Sequence, residues 1–282
     1  MDEQIGMPDR NEAPTVLVTD SGVGGLSVVR AIRAALPGVR LIYLADNAGF
    51  PYGKLAPDVL VERLVGFVTR LVPEYSCDAV VVACNTASTV VLDALRKVLT
   101  IPVVGTVPAI KTAGAVSNSR VIGLLATEAT VSGPYIQNLI EKFAADCEVV
   151  KIGSPDLAQI VEAFARGRTP DHARLKTILA PFFGRHTDTV DAVVLGCTHY
   201  PLIVDDLRAV GPEGVRWLDP SPAIAERLKT VLGEKHRPHI HAKGKDRALF
   251  TDPSTNLEEL RAFFGKFGFE DLAIIRAEEI VS

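Results

Sequence analysis

Two cysteines stand in near-identical settings far apart in the chain. Asp78-Ala79-Val80-Val81-Val82-Ala83-Cys84 and Asp191-Ala192-Val193-Val194-Leu195-Gly196-Cys197 each run from an acid through an apolar, β-branched stretch to a small residue and a thiol. A polar pair follows each thiol, Asn85-Thr86 in the first and Thr198-His199 in the second. The thiolate is the reactive form of cysteine, and a free thiol loses its proton at about pH 8.5. One thiol of a pair can therefore wait as a base while its partner stays an acid. Two thiols on opposite faces of one carbon take a proton from one side and return one on the other. That inverts the carbon without an electron-sink cofactor such as pyridoxal phosphate. Neither cysteine segment nor the glycine-rich turn at residues 20–26 contains Lys, so no Schiff-base setting is evident and no cofactor is expected. One cysteine at the end of an apolar strand is more often a core thiol than a reactive one. Two at matched positions point to chemistry. Cys77 and Cys147 lack this setting and are expected to be core thiols.

Other candidates lie at neighbouring strand ends. Asp20-Ser21-Gly22-Val23-Gly24-Gly25-Leu26 places a carboxylate, a hydroxyl and three glycines where a strand feeds a helix. Exposed N–H groups at such a turn bind an anion, and glycines let the backbone come close to it. The spacing matches neither the dinucleotide fingerprint nor a P-loop, and the same residues also suit a plain turn capped by Asp20 and Ser21. Phe50-Pro51-Tyr52-Gly53 is either one wall of a pocket or an ordinary turn. Asn85 and Thr86 can donate to a substrate carboxylate, and Thr86 or Ser88 can cap the next helix. His199 is placed to act as acid, base or hydrogen-bond partner of Cys197. A metal site built from Cys84, Cys197 and His199 with His239 or His241 is a competing reading, unsupported by any Cys-x-x-Cys or His-x-x-x-His spacing. A reversible Cys84–Cys197 disulfide, in a thiol redox sensor or binding protein, is another.

These residues need strands that end side by side. Strand-like runs are expected at Thr15–Thr19, Arg40–Ala45, Ala79–Ala83, Val103–Val104, Val121–Leu125, Cys147–Ile152, Ala192–Leu195, Val215–Leu218 and Ala248–Thr251. Helix-period stretches alternate with them, among them Thr86–Leu99, Val131–Phe143, Pro155–Phe164 and Pro201–Val210. This alternation is the signature of parallel α/β sheets buried on both faces. It restarts after about Thr106, and each cysteine strand is the third of its half. The expected fold class is α/β, with two pseudo-symmetric lobes, each a mainly parallel sheet flanked by helices. The active site would lie in the cleft between the lobes, off the C-terminal ends of the strands.

Composition narrows the partners. The 282 residues are 48% hydrophobic and carry a net charge of −4. No basic block marks a nucleic-acid or anionic-membrane partner, and the basic run Lys235–Lys245 reads as a solvated loop. No apolar run approaches the roughly 20 residues of a membrane helix. The polar start lacks the regions of a secretory signal, so residues 1–13 are expected to form a mobile tail. Four cysteines in such a chain fit a reducing, cytoplasmic setting.

Asp20 to Leu26, Pro51-Tyr52-Gly53, Ala83-Cys84-Asn85-Thr86-Ala87 and Gly196-Cys197-Thr198-His199-Tyr200-Pro201-Leu202 together closely resemble the glutamate racemases of the aspartate/glutamate racemase superfamily. The resemblance implies cofactor-independent interconversion of L- and D-glutamate, which supplies D-glutamate for peptidoglycan, and a homodimer. It implies that Cys84 deprotonates D-glutamate with help from Asp20. Cys197 would deprotonate L-glutamate with help from His199 and Glu162. Asp20, Ser21, Pro51, Tyr52, Gly53, Asn85, Thr86, Thr127, Thr130, Thr198 and His199 would hold the substrate. The family fold puts the start and tail of the chain in one lobe. By that likeness residues 14–107 with 219–282 form the Cys84 lobe, and residues 108–218 form the Cys197 lobe. The chain departs from the family at Thr19, where Phe is usual, at Ala126, where Gly is common, and at Gly153-Ser154-Pro155, where Cys-Pro is more usual. A racemase of the same superfamily acting on aspartate or another amino acid is the nearest alternative, and His199 after Cys-Thr favours glutamate.

Overall fold

The structure, a computed structural model, describes residues 13–183, 190–211, 213–233 and 244–275. The expected tail before Ala13, most of the basic run at residues 235–245, and His239 and His241 of the metal reading lie outside the described residues.

Two parallel sheets carry the molecule. The first contains β1 (Thr15–Asp20), β2 (Arg40–Ala45), β3 (Ala79–Val82), β4 (Val103–Gly105), β9 (Arg247–Phe250) and β10 (Asp271–Ile274), in the order β10-β9-β2-β1-β3-β4. The second contains β5 (Val121–Ala126), β6 (Glu148–Gly153), β7 (Val190–Leu195) and β8 (Arg216–Leu218), in the order β6-β5-β7-β8. The order β2-β1-β3-β4 thus repeats as β6-β5-β7-β8, so the repeated cysteine sequence corresponds to a repeated topology. β1, β3 and β7 are buried almost throughout, as apolar β-branched strands covered by helices on both faces must be.

Register fixes what the strands deliver. β1 pairs with β3 up to Thr19↔Val82, so Asp20 and Cys84 leave the sheet on adjacent strands. β5 pairs with β7 up to Leu125↔Leu195, so Thr127 and Cys197 do the same in the second sheet. One apolar cluster joins the two sheets. It includes Val29 and Ile32 of α1 (Leu26–Ala35), Leu228 of α11 (Ser221–Leu232), and Leu195 and Phe182 from the second sheet and its cover. Each such side chain contributes about 1.5–3 kcal/mol by leaving water.

The expected strands occur with ends within two residues of expectation. Three expected helices are interrupted. Thr86–Leu99 is two helices, α3 (Asn85–Ser88) and α4 (Leu92–Val98). Ser88 Oγ donates to the Val82 carbonyl, and the β-branched Thr89-Val90-Val91 follows. Val131–Phe143 is split into α6 (Glu128–Ser132) and α7 (Pro134–Phe143), because Gly133 precedes Pro134 and is extended, with φ −75° and ψ 145°. Pro201–Val210 begins as a 3-10 turn at Tyr200–Ile203 before α10 (Val204–Val210). The sequence reading also misses α5 (Ile110–Val116) and the half-exposed edge strand β10.

Candidate active site

Cys84 follows β3 and opens α3, and Cys197 follows β7 and precedes the 3-10 turn. Both are under a tenth exposed, and both line one cavity of about 20 Å³. The other lining residues are Ser21, Pro51, Tyr52, Gly53, Asn85, Thr86, Thr127, Gly196 and His199. That volume holds about one water molecule. The space between the two thiols is narrow.

Asp20, Glu162, Thr130 and Thr198 stand one layer behind this lining. His199 Nδ1 lies 3.8 Å from Cys197 Sγ, and its Nε2 lies 3.0 Å from Glu162 Oε1. Glu162, on α8 (Leu157–Ala165), therefore touches His199 rather than the thiol. The Val23 N–H also donates to Glu162 Oε1, at 2.7 Å. Asp20 accepts from the Gly22 N–H and from Thr198 Oγ1, each at 2.9 Å, and so ties the first sheet to the second cysteine segment. Ser27 Oγ donates to the Thr198 carbonyl across the same seam.

The glycine turn is shaped by these helpers. A Cβ on Gly22 would lie 2.0 Å from Glu162 Oε1, and one on Gly24 would lie 2.2 Å from His199 Nδ1. Backbone approach to side chains, rather than to a bound anion, is what both glycines permit. Tyr43 Oη completes the turn by donating to the Gly22 carbonyl.

Electrostatics distinguish the neighbours of the two thiols. Burial raises the Cys84 pKa well above its ordinary value and Asp20 adds to the rise, while the N–H groups of Ala87 and Thr86 oppose it. α3 is only four residues long, so its N-terminal N–H groups do not overcome desolvation of the thiolate. Burial also raises the Asp20 pKa, against the opposing pull of His199 and the hydrogen bonds from Thr198 and Gly22. His199 behaves oppositely. Burial disfavours its charge, but the hydrogen bonds to Cys197 and Glu162, with the charges of Cys197 and Asp20, raise its pKa well above the usual imidazole value. For Glu162, burial is outweighed by His199, the Val23 N–H and Arg166, and the pKa falls below the usual carboxylate value. Both shifts favour the charged forms of the pair, an imidazolium facing Cys197 and a carboxylate behind it.

The rest of the wall suits an amino acid's polar groups. Asn85 is 4% exposed, and neither its amide oxygen nor its amide nitrogen has a hydrogen-bond partner among the described residues. Buried amides are nearly always satisfied, so this one has bonding capacity left over for another group. Thr86 Oγ1 lies 3.3 Å from Thr127 Oγ1 and 3.4 Å from Thr130 Oγ1, so hydroxyls from both sheets converge there.

Several residues of the site escaped the sequence reading. Asp46 is fully buried and accepts from Arg63 Nε and Nη2, Tyr52 Oη and Thr251 Oγ1, at 2.6–3.0 Å. It fixes the Tyr52 wall against β9 and α2 (Pro57–Glu74). Phe50, which the sequence reading already names as part of a pocket wall or an ordinary turn, packs against His199 with ring centroids 5.7 Å apart. Arg166 contacts Glu162 from one helical turn onward, an i,i+4 pairing that the sequence does display. Cys77 is buried, with burial pushing its thiol up to about 12. Cys147 is only partly buried, because β6 is an edge strand, and it is not the core thiol that the sequence suggests.

Comparison with known proteins agrees with this geometry. A family model for Asp/Glu/hydantoin racemases matches residues 25–228. Glutamate racemase of Glaesserella parasuis is 42% identical over 94% of this chain and 99% of its own length. That of Klebsiella pneumoniae is 43% identical over 92% of this chain and 91% of its own. Among solved structures, Escherichia coli glutamate racemase in complex with L-glutamate and the activator UDP-MurNAc-Ala is similar with a TM-score of 0.88 and 42% identity, covering 94% of this chain and 98% of that one. A glutamate racemase isoform from Bacillus anthracis gives a TM-score of 0.76 at 27% identity, covering 93% and 97%. With its paired thiols, its repeated sheet order and relatives that match it nearly end to end, the chain belongs to the Asp/Glu/hydantoin racemase family.

Proposed function

We propose that the protein interconverts L- and D-glutamate by moving the Cα proton between Cys84 and Cys197. The observation that carries this reading is the shared cavity, into which two topologically matched strands deliver one buried thiol each. The relatives named above supply the substrate.

With L-glutamate bound, Cys197 starts as the thiolate beside the His199 imidazolium and takes the Cα proton. The electron pair left on Cα spreads into the α-carboxylate, which the Asn85 amide and the threonine hydroxyls hold. Cys84 starts as the thiol, kept protonated by its dry setting beside Asp20. It delivers its proton to the opposite face and becomes the thiolate. D-glutamate leaves, and the enzyme is set for the reverse reaction. Asp20 serves the Cys84 step, and His199 with Glu162 serves the Cys197 step. Ser21, Pro51, Tyr52, Gly53 and Thr198 complete the enclosure.

The lobes of this reading are residues 14–107 with 219–282, and residues 108–218, supported by the sheet that each strand joins. The product fits peptidoglycan synthesis in the cytoplasm, carried out by a homodimer. No helix among the described residues is long and apolar enough to cross a membrane.

The test is racemisation of each pure enantiomer in ²H₂O. Early product should carry one solvent deuteron at Cα while unreacted substrate keeps its proton. Product without deuterium, or turnover of aspartate in place of glutamate, overturns the reading.

Asp46→Asn probes the Tyr52 wall. Asn keeps the shape of Asp46 and loses the charge that Arg63 meets. Loss of stability of about 1–3 kcal/mol is expected in thermal melts. The KM for glutamate should rise more than kcat falls, because a binding wall moves while the thiols stay in place.

A further inference from the structure

We propose that Arg166 is a positioning residue for the Cys197 half of the reaction, acting through Glu162 and His199. The inference rests on the two-thiol reading above and deepens it. Arg166 directly follows α8, one turn beyond Glu162. Its Nη1 donates to the Glu162 carbonyl at 2.8 Å and to Glu162 Oε2 at 3.1 Å. Glu162 Oε1 is already taken by the Val23 N–H and His199 Nε2. The carboxylate is thus held at both oxygens, and its plane cannot turn.

The side on which Arg166 holds it is not packed. An outer cavity of about 380 Å³ lies there, lined by Gln159, Glu162, Ala163 and Arg168 from the second sheet's side and by Asn47, Phe50 and Asp252 from the first. Without Arg166, Oε2 faces that opening, and the carboxylate can rotate toward it. Oε1 then leaves His199, and the imidazolium beside Cys197 loses its counter-charge. Cys84 has no member of this network as a bonded neighbour. Its electrostatic partners are Asp20, Cys197 and the α3 N–H groups. The defect should therefore fall mainly on the Cys197 transfer and reach Cys84 only indirectly, through the charge of Asp20.

Rates alone do not reveal such a one-sided defect. The two enantiomers have equal free energy, so kcat/KM must be equal in the two directions for every variant. Primary isotope effects do reveal it. Deuterium on Cα of L-glutamate is removed by Cys197, and deuterium on Cα of D-glutamate is removed by Cys84. Slowing only the Cys197 step makes it more rate-limiting in both directions. The isotope effect on kcat/KM then grows with deuterated L-glutamate and shrinks toward one with deuterated D-glutamate.

The experiment measures both isotope effects for wild type, Arg166→Gln and Arg166→Lys. R166Q should lower kcat/KM roughly tenfold, the loss expected for a hydrogen bond to a charged group. Its two isotope effects should move in opposite senses, and R166K should recover most of both changes. A fall in rate with both isotope effects unchanged or moving together means a general structural role and overturns the proposal. So does an unchanged rate. Failure of the wild type to racemise glutamate would instead sink the underlying reading, so the two failures are distinguishable.

Discussion

Replacing either Cys84 or Cys197 with Ser lowers kcat/KM by roughly 10²–10⁴-fold, the range lost when a positioned acid–base group is removed. A serine hydroxyl fits the space of a thiol but is a far weaker acid, so it cannot wait as the anion that removes a Cα proton. The loss should be the same for L- and D-glutamate at either position, because the equilibrium between mirror images is unity. kcat and KM taken separately are free to differ, since Cys84 sits beside a carboxylate and Cys197 beside an imidazolium. Both sulfurs are buried in a preformed wall, so the melting temperature should change little. Circular dichroism followed from each enantiomer measures the effect. A serine variant of either cysteine that racemises glutamate at the wild-type rate would remove that thiol from the mechanism.

The two half-sites therefore share a scaffold and differ in chemistry. Their strands match in sequence and in sheet order, but the residues after the two thiols do not. After Cys84, the Asn85 amide is unpaired among the described residues, and Thr198-His199 after Cys197 spends both side chains on other protein groups. The repeat brings the sulfurs to one cavity, and the divergence gives one of them an internal cation. In the proposed mechanism, a reaction that is nearly mirror-symmetric in its substrate is served by neighbours that are not.

The scaffold was legible because its signal is local. A parallel strand buried on both faces must read as a continuous apolar, β-branched run, and Val80-Val81-Val82 and Val193-Val194-Leu195 do. The motif residues around the thiols were equally visible. The supports were not, because they depend on approach across the fold. Asp46 meets Thr251 across 205 residues, and Val23 meets Glu162 across 139. No spacing rule links such pairs. The break at Gly133-Pro134 did have a local signal, which the helical periodicity on either side outweighed.

The closeness of that approach makes Gly24→Ala a strongly damaging single-methyl change. The new Cβ would lie 2.2 Å from His199 Nδ1, 2.6 Å from His199 Cε1 and 2.8 Å from Thr198 Oγ1. Real Cβ contacts do not occur below about 3 Å, so something must move. The imidazole cannot swing freely, because Glu162 holds its far nitrogen, the tilted Phe50 ring packs against it, and it is almost fully buried. Thr198 is held by its bonds to Asp20 and Ser27. Displacing His199 by about 1 Å costs roughly 10²-fold in rate, as misplacement of a reacting group does. Overpacking should cost a further 1–3 kcal/mol of stability, on the order of other inserted methyl groups. Gly265→Ala is the matched control. A Cβ there meets nothing within 4 Å, so the same methyl should leave rate unchanged and slightly raise stability. Thermal melts and racemisation rates of the two variants, compared side by side, check the expectation. A Gly24→Ala enzyme with wild-type turnover would mean that His199 does not need its observed place, and the assignment of His199 as the helper of Cys197 would fall with it.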